Sequence, residues 1–269
     1  MLNIHRSNFQ AHPFHLVSPS PWPLNTSISF LSLTTSAVLS FHGFSYAENS
    51  LIFSLTSLVI SMSFWFRDII AEGTYLGNHT LSVQRGLNIG VALFIVSEAL
   101  FFVAIFWTFF HSALSPTVEL GAMWPPMGIE AIDPFELPLA NTVLLLASGF
   151  TVTYGHHYVI NRNRKRELNG LLSTIILALI FTSLQGVEYS VSPFTISDGA
   201  FGSCFYFGTG FHGLHVIIGT AFIGVALWRA VDYHFTNNHH LGLEGGILYW
   251  HFVDIVWLVL FISIYYWGS

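Results

Sequence analysis

Seven long apolar segments dominate this chain, and each is long enough to cross a lipid bilayer as a helix. A spanning helix needs about 20 mostly apolar residues. We predict such helices at residues 22–41, 50–70, 86–112, 137–160, 168–191, 200–228 and 245–267. The sequence therefore predicts an all-α membrane protein with seven transmembrane helices, forming a single transmembrane domain over residues 1–269.

Basic residues lie only at alternate junctions between these segments. If the N-terminus is inside, all eight fall on the inner side: Arg6, Arg67, Arg85, Arg162, Arg164, Lys165, Arg166 and Arg229. The four at positions 162–166 are predicted to form the loop between the fourth and fifth segments. The outer loops carry no Lys or Arg, but do carry Glu48, Glu119, Glu130, Asp133, Glu136 and Asp198. By the positive-inside rule, the N-terminus is inside and the C-terminus outside.

The composition excludes several classes of protein. Charged residues make up 8% of the chain and hydrophobic residues 53%, whereas soluble domains have about 25% charged residues. So few charges cannot cover the surface of a water-soluble protein. Extended basic patches with interleaved aromatics are absent, so we expect no nucleic-acid partner. The single cysteine, Cys204, excludes an internal disulfide.

The loop at residues 115–138 is the only long one. Its prolines prevent a continuous helix, and its four acids predict a negative, fairly rigid cap on the outer face. The prolines are Pro116, Pro125, Pro126, Pro134 and Pro138.

Acidic residues inside the apolar segments are candidates for function. A charge at the middle of a membrane helix costs about 2.5–3.5 kcal/mol on insertion scales. Glu98 is either a proton- or lipid-linked site, or a protonated carboxyl hydrogen-bonded to a neighbouring helix. Asp254 follows His251 by about one helical turn, so the two share a face and can hydrogen-bond; we favour an interhelical polar clasp with Tyr or Trp partners. Glu188 lies nearer the outer end, where access to water makes a charge less costly.

The fourteen histidines do not form a recognisable metal or haem pattern. His212 and His215 share a face of the sixth segment, and we expect them to form hydrogen bonds inside the helix bundle. His156 and His157 are adjacent and point in different directions, and His239 and His240 lie in an inner loop. The chain has no Glu-x-x-His pair, Cys-x-x-Cys or His-Glu-x-x-His motif, and lacks the spacing for paired haem ligation. We therefore expect no metal or haem bound by this chain.

Glycines are concentrated in the sixth segment. Gly208, Gly210 and Gly213 match the G-x-G-x-x-G pattern, but nucleotide binding needs a preceding strand and an aqueous pocket. The match lies in a charge-free apolar run. We instead expect close helix packing by the small residues of this segment, of which the pairs Thr209/Gly213 and Thr220/Gly224 have small-xxx-small spacing. The glycines are Gly202, Gly208, Gly210, Gly213, Gly219 and Gly224.

A second candidate site lies at the inner membrane interface. Arg67, His79, Arg85 and Arg229 are predicted either to gather around an anionic lipid headgroup or simply to anchor helix ends.

Several motifs closely resemble the family of cytochrome c oxidase subunit III, and the resemblance covers nearly the whole chain. They are HPFHLV (12–17), WFRD (65–68), FFHS (109–112), WPP (124–126), FTISDG (194–199), TGFHGLHVI (209–217) and YWHFVD (249–254). Two positions depart from the family pattern: Phe66 stands where Trp is common, and Asn78 where His is common.

The resemblance implies two helix bundles, helices 1–2 and helices 3–7, separated by a V-shaped cleft filled with phospholipid. It implies a non-catalytic core subunit of respiratory complex IV that sustains proton uptake, assembly and durability during turnover. Glu98 would be the carboxylate near the cleft, and Arg67, His79 and Arg229 would contact lipid headgroups. His212, His215, His251 and Asp254 would be further polar groups within the membrane.

The resemblance also implies partners and a location. The neighbours of this chain would be subunit I, subunit II and accessory subunits. Haem a and copper would lie in those partner subunits, and the complete oxidase could be part of a respiratory supercomplex. The chain would cross the mitochondrial inner membrane with its N-terminus in the matrix and its C-terminus in the intermembrane space.

Two rival functions remain open from the residues alone. A transporter would need polar substrate contacts on broken helices near the midplane; Glu98 and Asp254 could serve, but no proline interrupts a helix beside them. A haem-bearing electron carrier would need the histidine spacing that is missing.

Overall fold

The computed structural model of the protein describes residues 12–268, so Arg6 and Ser269 lie outside the described residues. Seven of the described helices are long and apolar enough to cross a membrane, and the all-α prediction is confirmed. They are α1 Trp22–Phe41, α2 Ala47–Thr74, α3 Leu81–Leu114, α4 Leu137–Ile160, α5 Arg164–Val191, α6 Gly199–Val231 and α7 Leu241–Leu260, which continues as a π-helix over Phe261–Tyr266.

The start of α5 corrects the sequence prediction. Arg164, Lys165 and Arg166 were expected in a loop, but they form the first turn of this helix. The Asn163 side chain caps it by accepting a hydrogen bond from the Arg166 amide at 3.4 Å. A hydropathy pattern marks only the apolar part of a helix. The helix can extend one polar turn further, because a capping side chain bonds the free backbone N–H groups of that turn.

The chain divides into two compact units, Met1–Leu87 and Asn88–Ser269. In the first unit, α1 and α2 pack antiparallel through small hydroxyl side chains. Ser29 bonds Ser57 at 3.0 Å, and Ser36 bonds Ser50 at 2.8 Å. Small residues allow close approach of membrane helices, and their hydroxyls hydrogen-bond across the interface. Serine at these positions explains how α1 forms a stable pair although its sequence is only weakly apolar.

In the second unit, α4, α5, α6 and α7 form a closed ring in which each helix contacts the next and α7 contacts α4. At the α4–α5 contact, a Cβ on Gly170 would lie 2.7 Å from the Gly155 Cα, so only glycine permits this backbone approach. Two buried tryptophans join α7 to α4: the Trp250 indole donates to Ser148 at 3.0 Å and the Trp257 indole to Thr142 at 2.9 Å.

Helix α3 adds its apolar face to this ring. Phe102, Ile105 and Phe109 are buried in the core of the second unit, while much of the rest of the helix is exposed. The expected close packing at Gly213 and Gly224 is wrong for the described residues, because a Cβ at either position would have no neighbour within 4 Å. The expectation is confirmed at Gly219, where a Cβ would lie 2.9 Å from the Trp250 ring, and Gly202 also packs closely, against the Thr195 carbonyl.

Candidate functional site

A carboxylate–histidine pair links α3 and α6. Glu98 Oε2 lies 2.8 Å from His215 Nε2, and His215 Nδ1 lies 2.7 Å from the Phe211 carbonyl oxygen. A carbonyl oxygen only accepts, so Nδ1 carries a proton. The short bond to Glu98 then needs one more proton, either on Nε2 as an imidazolium or on Glu98 as a carboxylic acid. The pair therefore holds a proton between two helices.

Aromatic rings surround this pair. The Phe102 ring centroid lies 5.0 Å from that of His215, Tyr249 stacks on His215 at 6.2 Å, and Phe252 lies at 6.5 Å. The His215 side chain is 8% exposed, whereas that of Glu98 is 27% exposed. Aromatic walls exclude water from the imidazole and strengthen its hydrogen bonds. Of the two side chains, it is the Glu98 carboxylate that reaches the surface of the second unit.

His212 forms a separate hydrogen bond one turn before His215. Its Nε2 donates to the Val253 carbonyl of α7 at 3.2 Å, and its Nδ1 is buried with no hydrogen-bond partner among residues 12–268. A single donor contact to a carbonyl fits a neutral imidazole. The prediction that both histidines form hydrogen bonds inside the bundle is confirmed, although each contacts a different helix.

The contacts of His251 and Asp254 on α7 differ from the sequence prediction. His251 Nε2 donates to the Thr153 hydroxyl of α4 at 3.1 Å, since that hydroxyl donates its own proton to the Gly149 carbonyl at 2.9 Å. Asp254 Oδ2 is 3.9 Å from His251 Nδ1, too far for a hydrogen bond. Asp254 Oδ1 is buried without a hydrogen-bond partner in the described part of the chain.

The interhelical clasp is therefore made by His251. The prediction that Asp254 makes it with Tyr or Trp partners is wrong, because the Asp254 carboxylate faces the backbone of Gly149. A Cβ at Gly149 would lie 2.5 Å from Asp254 Oδ2. The missing side chain of this glycine creates the space in which the carboxyl group lies.

Glu188 also departs from its prediction. It was expected where water reaches the helix end, but it is 1% exposed. Tyr265 donates to its Oε1 at 2.6 Å, and Gln185 donates to the same oxygen at 3.0 Å. Tyr265 lies in the π-helical end of α7, where the changed residue spacing directs side chains differently from a continuous α-helix. Nothing in the hydropathy pattern marks that change.

The basic residues proposed for lipid contact belong to two units. In the first, Arg67 pairs with Asp68, with Nη2 2.8 Å from Oδ1, and Asp68 also accepts the Trp22 indole N–H at 2.5 Å. His79 packs on Gly73, where a Cβ would lie 2.6 Å from its Nδ1.

Arg229 belongs to the second unit. Its guanidinium lies 4.6 Å from the Phe235 ring centroid and against Gly242, where a Cβ would be 2.5 Å from Nη1. These contacts hold the Arg229 side chain at the C-terminal end of α6. A joint role of Arg67, His79 and Arg229 at a headgroup stays a prediction.

The outer loop contains one acid with a shifted pKa. The backbone N–H of Glu119 and the hydroxyl of Thr117 donate to the Glu119 carboxylate and hold its pKa below the usual range. This hydrogen bonding favours the ionised form and is consistent with a negative cap.

One cluster was missed by the sequence analysis. His156, His240 and Glu244 come together where α4 ends and α7 begins. Their separation in sequence, 84 residues between the two histidines, gave no sign of the contact. The only available signal was that α4 ends and α7 begins on the same predicted side of the membrane.

Comparisons with known proteins agree with the motif resemblance. The family model described as cytochrome c oxidase subunit III matches residues 12–269. Proteins named cytochrome c oxidase subunit 3 are similar over the full length of both chains: 70% identical over 269 residues in Pyricularia grisea, and 68% over 269 residues in Neurospora crassa. The Yarrowia lipolytica protein of the same name is 58% identical over 268 residues.

Proposed function

The chain belongs to the cytochrome c oxidase subunit III family, and on that premise we propose that it supports the oxidase without a catalytic site of its own. It is a multi-pass mitochondrial membrane protein and a component of that oxidoreductase complex. Its proposed roles are assembly, support of proton uptake, and stability during turnover, while the complex transfers electrons from cytochrome c to oxygen and pumps protons.

The observation that carries this proposal is the hydrogen bond of 2.8 Å between Glu98 and His215. It supports a role for Glu98 as an ionisable group that shares a proton with His215 inside an apolar helix. Intramembrane acids are costly and mark proton or ligand sites by default. Because the Glu98 side chain is 27% exposed, a proton or a lipid headgroup can reach it from the surface of the second unit.

The hydrogen bonds of three histidines support a non-catalytic assignment. His212 donates to a backbone carbonyl, His215 is held between Phe211 and Glu98, and His251 donates to Thr153. Each ring is engaged in holding helices together. Haem a and copper would therefore belong to partner subunits, with subunit I and subunit II as neighbours and with accessory subunits or a supercomplex around them.

Structural phospholipids are the ligands we propose for this chain. The chain divides after Leu87, so α1 and α2 lie in one unit and α4 to α7 in the other. This division is consistent with two helix bundles, and the V-shaped, lipid-filled cleft is proposed on the family resemblance alone. Arg67, His79 and Arg229 offer positive or hydrogen-bonding groups at the inner interface, where anionic headgroups would lie.

The charge pattern supports a defined orientation. Arg162, Arg164, Lys165 and Arg166 lie where α4 ends and α5 begins, and Arg229 lies near the end of α6. With these ends on the matrix side, the N-terminus is in the matrix and the C-terminus in the intermembrane space.

The Glu98→Gln variant tests the proposal in the assembled oxidase. Gln keeps the size of the side chain but removes the acidic proton, so we expect normal assembly and basal oxygen reduction, with a modest change in turnover durability or lipid occupancy. Steady-state oxygen consumption, its decay during turnover, and lipid mass spectrometry measure these effects. Thr108→Ala on the same helix is the control, since Thr108 bonds only its own helix. Complete loss of basal oxygen reduction in Glu98→Gln would refute the non-catalytic assignment.

A further inference from the structure

We propose that a cavity at one end of the second unit binds a phosphate ester. The cavity has a volume of about 390 Å³ and lies between the turn that joins α4 to α5 and the segment that follows α6. Arg162 and Arg164 line it from the first of these segments, and Tyr233, Phe235 and Asn237 line it from the second. Its volume is within the range of about 300–1,000 Å³ that is usual for small-molecule sites.

The Arg164 guanidinium is held in place by groups that leave its charge unpaired. Its Nη2 donates to the Val231 carbonyl oxygen at 2.7 Å, and its Cζ lies 3.3 Å from the centroid of the Tyr233 ring. Its Nη1 is buried and has no hydrogen-bond partner within residues 12–268. A buried N–H group without an acceptor is unfavourable. An oxygen of a ligand in the cavity would supply that acceptor.

The second guanidinium, that of Arg162, is oriented by one hydrogen bond between the two segments. Arg162 Nη2 donates to Asn237 Oδ1 at 3.0 Å. A guanidinium has five N–H donors, so this bond leaves most of them available to a ligand. The Arg162 side chain is exposed, and a ligand can therefore reach it without a change in the helices.

The charges around the cavity favour an anion. Neither guanidinium forms an ion pair with a carboxylate in the part of the chain that the structure describes. Glu167 also lines the cavity, but even when it is ionised the two arginines leave a net positive charge. Helix α5 begins at Arg164, and the N-terminus of a helix adds a further positive potential.

The donors and the size of the cavity identify the class of ligand. The planar guanidinium matches the geometry of phosphate oxygens, and one phosphate group offers oxygens to both arginines at once. A bare phosphate would fill only part of the cavity, given that one water molecule takes up about 30 Å³. Phe235 and Val159 give the cavity an apolar part, which suits the organic portion of an ester. This chemistry is shared by soluble phosphate esters and phospholipid headgroups.

Ligand binding by the purified, assembled oxidase tests this proposal in two arms. In the first, the solubilised complex is dialysed to equilibrium against radiolabelled glycerol 3-phosphate. In the second, it is titrated with phosphatidylglycerol in mixed micelles, and the lipid retained per complex is measured by native mass spectrometry. We expect Arg162→Gln and Arg164→Gln to weaken binding at one site by about 10- to 150-fold in one of the arms, the effect of losing a hydrogen bond to a charged group.

Lys165→Gln is the matched control, because it removes the same charge beside Arg164 from a side chain that does not line the cavity. Arg162→Gln keeps the test decisive if Arg164→Gln prevents assembly, since Arg162 is exposed. Weaker binding in the glycerol 3-phosphate arm would identify a soluble ester, and weaker binding in the lipid arm alone would identify a phospholipid headgroup. Unchanged binding by Arg162→Gln in both arms, or equal weakening by Lys165→Gln, would overturn the proposal.

Discussion

Replacing Gly170 by alanine tests the close backbone contact between α4 and α5. A Cβ at this position would lie 2.7 Å from Gly155 Cα and N, and 2.9 Å from the Thr151 carbonyl oxygen. Ordinary van der Waals contact of a Cβ begins at 3.4 Å, so α4 and α5 must separate by about 0.7 Å, the difference between 3.4 and 2.7 Å. These three atoms all belong to the backbone, so no side chain can rotate away.

The expected cost follows from the size of this shift. Overpacking a tight interface costs about 1–3 kcal/mol, while alanine gains about 1 kcal/mol over glycine in helix propensity. Gly186→Ala on the same helix gains the same propensity without a clash, because a Cβ there has no neighbour within 4 Å. The difference between the two variants therefore isolates the steric cost, which corresponds to about 5- to 150-fold in an equilibrium constant.

The assay is retention of this subunit in the detergent-solubilised oxidase as a denaturing detergent is increased. We expect Gly170→Ala to lose the subunit at a clearly lower concentration than Gly186→Ala, which should match or exceed the unaltered protein. Equal midpoints for the two variants would show that α4 and α5 do not approach as closely as described.

Two further substitutions test hydrogen bonds inside the units. Tyr265→Phe removes the donor 2.6 Å from buried Glu188 and should cost about 1–3 kcal/mol in the same assay; a midpoint equal to that of the unaltered protein would contradict the Glu188 contact. Ser36→Ala removes the bond to Ser50 at 2.8 Å and should cost only about 0.6 kcal/mol, the mean for polar contacts between membrane helices; a loss of several kcal/mol, measured by the same titration, would mean that this bond dominates the α1–α2 contact.

The number and placement of the helices could be predicted because burial in lipid requires long apolar runs. Helices α1 and α4 occupy the predicted residues, since their ends coincide with a change in polarity. The start of α5 could not be located this way, because Arg164 lies in a polar turn that a cap stabilises. Hydropathy shows which part of a helix is surrounded by lipid. It does not show where the helix begins, because a capped end depends on local hydrogen bonds.

Side-chain contacts were harder to predict than helices. The carboxylate of Glu98 and the imidazole of His215 were both identified as candidates, but their pairing depends on the rotation of α3 and α6 about their axes. The prediction of close packing from the glycines of α6 is confirmed at Gly219 but wrong at Gly213 and Gly224. A small-residue motif shows which face could approach a neighbour but not where the neighbour lies.

The hydrogen bond from His215 Nδ1 to the Phe211 carbonyl, 2.7 Å long, limits how a proton can move through this pair. Rotation of the ring, as needed to pass a proton along a chain, would break that bond and leave the buried Nδ1–H group without its acceptor, at a cost of about 1–3 kcal/mol. This cost favours the ring orientation in which Nε2 faces Glu98. We therefore expect any proton held by this pair to be exchanged on the Glu98 side, and we expect the pair not to relay protons through the membrane.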